Sequence, residues 1–405
     1  MSDQSQTSTF EQLISASPAQ LYRAFTNSSA LREWLCDVAT TSPRVNGRIY
    51  LAWNDGYYTG GEFTQLEADK QIAFTWSGKG DPGKTAVTVS LTPENKKTRV
   101  TVQHSLIGTG DLWQETAAAL EKAWPYSLEN LASVMSTGED LRFTQRPMLG
   151  IIVGDLDKEI AAQLGVPVSE GIRLDSLVDG MDAKTAGLQP NDVIVRIGNR
   201  TTADWASLNT ALQMHRAGET VNVDYYRSGE KQTVAMKLSG RPIPKIPKTA
   251  VSLAETIRKI YDKNEAELEN FFTEVTDAEA SYKPAPDAWS AKETLAHLIH
   301  GERGWHVWID GVVGGHEAWY DDWGGNIPAR VAATVKAYPT TRVLLDELKH
   351  LNAETVALVA NLPAEFMARK GSYWRLAYQL VNEPYHHQTH MTQMREAIEK
   401  ARTLG

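Results

Sequence analysis

Cysteine is nearly absent: Cys36 is the single one in 405 residues, which excludes an internal disulfide and any cysteine-built zinc site. With no neighbouring residues that would activate its thiol, Cys36 reads as a small buried hydrophobe. Long apolar runs are missing as well, and residues 1–9 show no charged segment followed by an apolar one. The expectation is a cytoplasmic protein with no membrane partner. Positive charge is not in excess. With 41 Lys and Arg against 50 Asp and Glu, the net charge is −9, which argues against nucleic acid as a partner.

What is concentrated is histidine, with eight of the ten beyond residue 290. In Pro384-Tyr385-His386-His387-Gln388-Thr389-His390-Met391-Thr392-Gln393-Met394, a helix would place His386 and His390 one turn apart. Their Cβ atoms would then lie roughly 5–6 Å apart, within reach of one metal ion. Two nitrogens do not complete a site. The best third ligand is His297, in Thr294-Leu295-Ala296-His297-Leu298-Ile299-His300. Taken alone, the pair reads equally well as two half-exposed helix histidines.

A chain of this length exceeds one ordinary core, and two to four domains are expected. Ser17-Pro18-Ala19-Gln20 has the form of a helix start, with a Ser cap, Pro at the first helical position and Gln three residues after the cap. After Trp34 the periodicity changes to two. Strand patterns at 49–53, 57–67, 72–76, 86–91 and 99–104 make an antiparallel meander, and a long amphipathic helix is expected over 111–135, kinked at Pro125. Inside the meander, Gly78-Lys79-Gly80-Asp81-Pro82-Gly83-Lys84-Thr85 matches a phosphate-loop pattern. A phosphate loop needs a helix directly after it, whereas Ala86-Val87-Thr88-Val89-Ser90-Leu91 is a strand pattern, so the segment reads as a hairpin loop.

Helix, curled meander and long helix resemble the helix-grip fold of the START-like (SRPBCC) superfamily, in its heat-shock-ATPase-activator-like branch. The residues that carry the resemblance are Pro18 to Phe25 with Trp34, Gly47-Arg48, Tyr58 to Phe63, Phe74-Thr75-Trp76, Thr98 to Thr101 and Trp124. The resemblance implies a cavity between sheet and long helix for an apolar small molecule. The bland reading is that Trp34, Trp53, Trp76 and Trp124 fill a core.

In the second segment, Gly187-Leu188-Gln189-Pro190-Asn191-Asp192-Val193-Ile194 is a helix end, a tight turn and a buried strand. With Met148-Leu149-Gly150-Ile151 upstream it resembles a PDZ domain of the kind attached to HtrA-type proteases. Asn191 stands where glycine is usual, a tolerable change because Asn enters the left-handed region readily. The resemblance implies capture of a protein's C-terminal peptide by strand addition. The Met148 to Ile151 loop would hold the carboxylate, and Leu208, Ala211 and Leu212, on a helix over 204–215, would line the groove. No serine-protease constellation is present in the sequence.

Three prolines in 240–249 mark an extended linker. Beyond it, Ser252-Leu253-Ala254-Glu255 and Ser290-Ala291-Lys292-Glu293 read as capping boxes. Helices over 327–362, broken at Tyr338-Pro339, and over 374–402 complete a four-helix bundle with a long connection at 311–325. Trp289-Ser290, His297 and His386-x-x-x-His390-x-x-Gln393 resemble the DinB/YfiT-like family. That resemblance fills all three metal positions with His297, His386 and His390 and implies a divalent ion such as zinc or nickel. The family includes transferases and isomerases that use low-molecular-weight thiols, so a thiolate nucleophile held by the metal is the implied mechanism. His300 reads as an alternate ligand or an outer donor, Gln393 as an outer partner, and Glu302 as a base or a solvated carboxylate. His387 points about 100° from its neighbour, toward solvent or a helix interface. Trp305, Trp308, Trp319 and Trp323 are pocket or packing residues.

The fold class is therefore multidomain α+β: a helix-grip domain over 8–140, a PDZ-like β domain over 145–239, and an all-α bundle over 250–405. Two functions follow from it. One is a metal-dependent, thiol-using transferase in detoxification or stress response; the other is a non-catalytic sensor or adaptor that binds an apolar ligand and a peptide tail.

Overall fold

The computed structural model describes residues 5–213, 215–317, 327–382 and 384–404, and the chain forms two compact units. One comprises residues 1–139 together with 244–405; the other comprises residues 140–243.

The first unit begins with a seven-stranded antiparallel sheet: β1 (Ser5–Ile14), β2 (Val38–Thr41), β3 (Arg48–Ala52), β4 (Tyr58–Glu67), β5 (Gln71–Gly78), β6 (Thr85–Glu94) and β7 (Lys97–Gly108), in the order β1-β7-β6-β5-β4-β3-β2. The phosphate-loop look-alike is the hairpin between β5 and β6, as the strand pattern after it required. Along β7, Val100, Val102 and His104 alternate inward, the period-two signature of a sheet with one covered face. Its cover is α3 (Asp111–Thr137), which runs continuously through Pro125 and buries Leu120, Trp124, Leu128 and Leu131. The expected first helix divides at Asn27 into α1 (Pro18–Thr26) and α2 (Ser28–Arg32). Ser17 and Gln20 form the capping box on α1, and the Asn27 side chain caps α2. Between sheet and α3, Trp76, Trp124 and His104 lie ring against ring with centroids 5.6 to 6.3 Å apart.

Four long helices build the rest of this unit: α4 (Ala250–Phe272), α5 (Ala291–Gly314), α7 (Thr341–Ala360) and α9 (Pro384–Leu404), with α6 (Pro328–Ala337) and α8 (Lys370–Val381) between them. The capping box expected at Ser252–Glu255 lies one turn earlier. Thr249 caps α4 and Ser252 answers it, because both are hydroxyl residues three apart and the proline-rich stretch before them leaves Thr249 free to stay extended. The helix expected over 327–362 is interrupted before Thr340, which caps α7. The one expected over 374–402 starts earlier, at Lys370, and is divided so that Pro384, with no N–H to donate, opens α9. Helix α5 continues to Gly314 and ends at the left-handed Gly315. Trp319 and Trp323 lie outside the described residues.

Helix-grip and bundle meet inside this unit through polar contacts. Arg32 and Arg375 both pair with the buried Glu317, at 3.4 and 2.6 Å. Burial would raise the Glu317 carboxyl, but Arg375 and Arg32 hold it below the usual carboxylate range. Ser372 Oγ donates to the buried Glu33, which Arg23 approaches at 3.6 Å. Burial still leaves the Glu33 pKa raised. Gly371 sits so close to α3 and Glu33 that an added Cβ would meet Glu33 Oε2 and Val134 Cγ1, each at 2.5 Å.

The second unit is a six-stranded antiparallel sheet with Ile151–Gly154 at one edge, paired to Ile172–Leu177. Asn191 takes φ 70, the left-handed conformation its turn requires. The helix expected over 204–215 spans Trp205–Gln213.

Candidate metal centre

Helix α5 positions the first ligand. Ser290 Oγ accepts from Glu293 N at 3.2 Å, and Glu293 Oε2 accepts from Ser290 N at 2.9 Å, which fixes the helix start and places His297 two turns along it. Trp289, just before the cap, packs its ring 5.0 Å from the His297 imidazole. Helix α9 contributes His386 and His390 on one face, as their spacing dictates.

The three side chains converge. His386 Nε2 lies 3.4 Å from His297 Nε2 and 3.0 Å from His390 Nε2, and the three ligand atoms all fall within 4.8 Å of one another. Two nitrogens bound at roughly 2.0–2.1 Å to a tetrahedral zinc ion would stand about 3.3 Å apart. Both close spacings match this, and three imidazoles are a donor set compatible with a divalent ion. His297 and His390 are buried and His386 is exposed, so the group opens on one side. Gln393 Oε1 lies 3.0 Å from His390 Nδ1. An amide oxygen there accepts from Nδ1–H and leaves the Nε2 lone pair directed at the group, the usual second-layer support of a metal-bound imidazole.

The other sequence candidates go elsewhere. His300 is buried, but its Nε2 faces Thr334 Oγ1 at 2.8 Å and the Arg330 carbonyl at 3.3 Å, both on α6. It braces α6 rather than joining the three histidines. His387 is buried at the interface with α4, 3.2 Å from Glu267. Glu302 accepts from the Tyr261 hydroxyl at 2.9 Å and from Thr355 Oγ1 at 2.9 Å. Sequence reasoning missed Tyr261, Thr355 and Glu267, which lie on helices remote in sequence and carry no spacing signal. The cleft containing Tyr261 and Glu302 reaches the histidine group at His386, with Trp305 in its wall.

In the second unit, Leu149, Leu208 and Ala211 are core residues, each 3% exposed or less, while Met148, Ile151 and Leu212 are half-buried. Gly150 takes φ +74, and an added Cβ would strike Met181 Cβ at 2.2 Å. Of the seven residues expected at the groove, Met148, Ile151 and Leu212 retain exposed surface, and Gly150 is held by backbone geometry.

Comparison with known proteins gives three family matches in chain order. Residues 15–136 match Activator of Hsp90 ATPase homolog 1-like protein, residues 147–238 match PDZ domain, and residues 260–394 match DinB superfamily. The chain thus combines a START-like helix-grip domain, a PDZ domain and a DinB-like helical domain. Among curated relatives, a serine protease Do-like HtrA of Lactococcus lactis subsp. cremoris (strain MG1363) is 38% identical over 99 residues, 23% of this chain and 24% of the relative. A probable periplasmic serine endoprotease DegP-like of Marinomonas sp. (strain MWYL1) is 29% identical over 24% of this chain and 21% of the relative. The chain spans about a quarter of the length of these curated relatives. Among solved structures, protein MLL2253 from Mesorhizobium loti is 26% identical, covering 32% of this chain and 96% of that one with a TM-score of 0.30. Protein CV1439 from Chromobacterium violaceum is 27% identical over 32% and 95%, with a TM-score of 0.28. Among the described residues, no helix is long and apolar enough to cross a membrane.

Proposed function

We propose that the DinB-like domain is a metal-dependent enzyme that transfers a group to or from a low-molecular-weight thiol, in detoxification or stress response. The observation that carries this reading is the convergence of the His297, His386 and His390 Nε2 atoms beside a cleft. His297, His386 and His390 would hold the ion. A bound divalent ion supplies Lewis acidity and lowers the pKa of a thiol or water placed against it. The protein's own part is positioning. Gln393 holds the His390 tautomer, Trp289 packs against the His297 ring, and exposed His386 faces the cleft where reactants enter.

Activity should require every ligand. A thiol-transfer screen of the full chain against a reactive aryl halide, with cysteine-based thiols and added zinc, nickel or manganese, is expected to show turnover that His390→Ala abolishes. Undiminished turnover in that variant would contradict the assignment.

The other two domains support a binding role. The edge strand Ile151–Gly154, beside the left-handed Gly150, suits capture of an extended C-terminal peptide, and a library of C-terminal peptides should return an enriched motif. For the helix-grip domain we propose an apolar ligand. If the purified protein carried such a ligand yet showed no thiol reactivity, the sensor or adaptor reading would replace the enzyme.

A further inference from the structure

The cleft that meets the three histidines has a one-sided chemistry. Helices α4, α5 and α7 form its walls, and it reaches the metal group at His386. Two carboxylates stand in it. Glu302 is held by the hydroxyls of Tyr261 and Thr355, and Glu265 Oε1 accepts from Asn352 Nδ2 at 2.8 Å. These three donors are neutral, and no lysine or arginine is among the described residues lining the cleft. Trp305 on α5 and Tyr261 on α4 add ring surface to the cleft.

An aromatic wall with fixed carboxylates attracts a cation twice, by direct charge and through the ring faces. An anion there would meet like charge in a partly desolvated space, where Coulomb terms exceed their values in water. We propose that the molecule presented to the three histidines through this cleft carries a protonated amine on a small apolar body. Its ammonium group sits between Glu302 and Glu265, and its body lies along Trp305. A thiol or acceptor whose only charges are carboxylates is a poor fit. The presentation to His386 rests on the metal reading above, whereas the preference for a cation depends only on the cleft walls.

Three probes of one shape separate the alternatives: benzylamine, benzyl alcohol and benzoate, titrated into the full chain at neutral pH by calorimetry. Affinity is expected to fall in the order amine, alcohol, carboxylate. Glu302→Gln and Glu265→Gln should each weaken benzylamine severalfold and together by tenfold or more, with little effect on benzyl alcohol; unchanged alcohol binding also shows that the variants are folded. Benzoate binding as well as benzylamine, failure of benzylamine to bind, or an unchanged amine affinity in the double variant would overturn the proposal. Elemental analysis of the same samples keeps the two readings apart. Amine preference without metal uptake would sink the metal centre and leave the cleft's selectivity standing, and metal uptake with benzoate preference would do the reverse.

Discussion

His390 carries two distinct duties, one through each ring nitrogen. Its Nε2 faces the other two imidazoles and its Nδ1 faces Gln393, so the two effects are separable by mutation. Gln393→Ala is expected to lower metal affinity about 10- to 100-fold while leaving the fold intact, as loss of an outer-layer partner generally does; competition against a fluorescent chelator measures this. His390→Ala should lose tight binding altogether. The four-residue spacing of His386 and His390 made that half of the site legible in the sequence. His297 stood only as the best third-ligand candidate from another helix until the family resemblance filled the position with it, because nothing local announces that a residue 89 positions earlier will meet His386. The same limit explains His300, which stands one turn from His297 yet faces Thr334 on α6.

At the scale of elements, β7 and α3 are joined by a buried imidazole. Trp124 Nε1 donates to His104 Nδ1 at 3.1 Å, so Nε2 carries the proton and donates to Thr85 Oγ1 at 2.7 Å. A second proton would have to occupy Nδ1 and oppose the Trp124 N–H. Burial alone pushes the His104 pKa down to about 4. The unfolded chain therefore takes up this proton near pH 6.5 and the native one only near 4. The stabilisation is complete above pH 6.5, falls as pH drops through that window, and amounts to roughly 3 kcal/mol at the 1.36 kcal/mol expected per pKa unit. Denaturant unfolding at pH 7 and pH 4.5 should show this loss in the wild type and a smaller one in His104→Gln. Equal losses in both would contradict the assignment. The alternation in β6 and β7 was readable, whereas β1 was missed: Ser5–Ile14 is polar and buries only Phe10 and Ile14, so its pairing with β7 follows from the sheet rather than from its own pattern.

At the scale of the whole chain, sequence order misleads about which parts pack together. The first and last segments share one unit, joined by Glu317 with Arg32 and Arg375 and by Glu33 with Ser372. Such pairs are invisible in sequence because charged residues at the surface and at a buried seam look alike. Removing Arg375 would leave the buried Glu317 with Arg32 and the Trp308 indole N–H, so Arg375→Ala should cost roughly 3 kcal/mol, the low end for breaking a buried pair. Gly371→Val should also destabilise the unit, since its side chain would enter Glu33 and Val134. Calorimetry of the full chain is expected to show two unfolding transitions, one of them reproduced by residues 140–243 alone. Three transitions would mean that the helix-grip domain and the bundle unfold independently.

The metal centre remains the claim on which the functional reading turns, and elemental analysis after exhaustive dialysis tests it most directly. Wild type should retain close to one divalent ion per chain, with the His386→Ala/His390→Ala variant retaining none. Wild type free of metal even after incubation with zinc, nickel or manganese would contradict the account and leave the three histidines as packing residues.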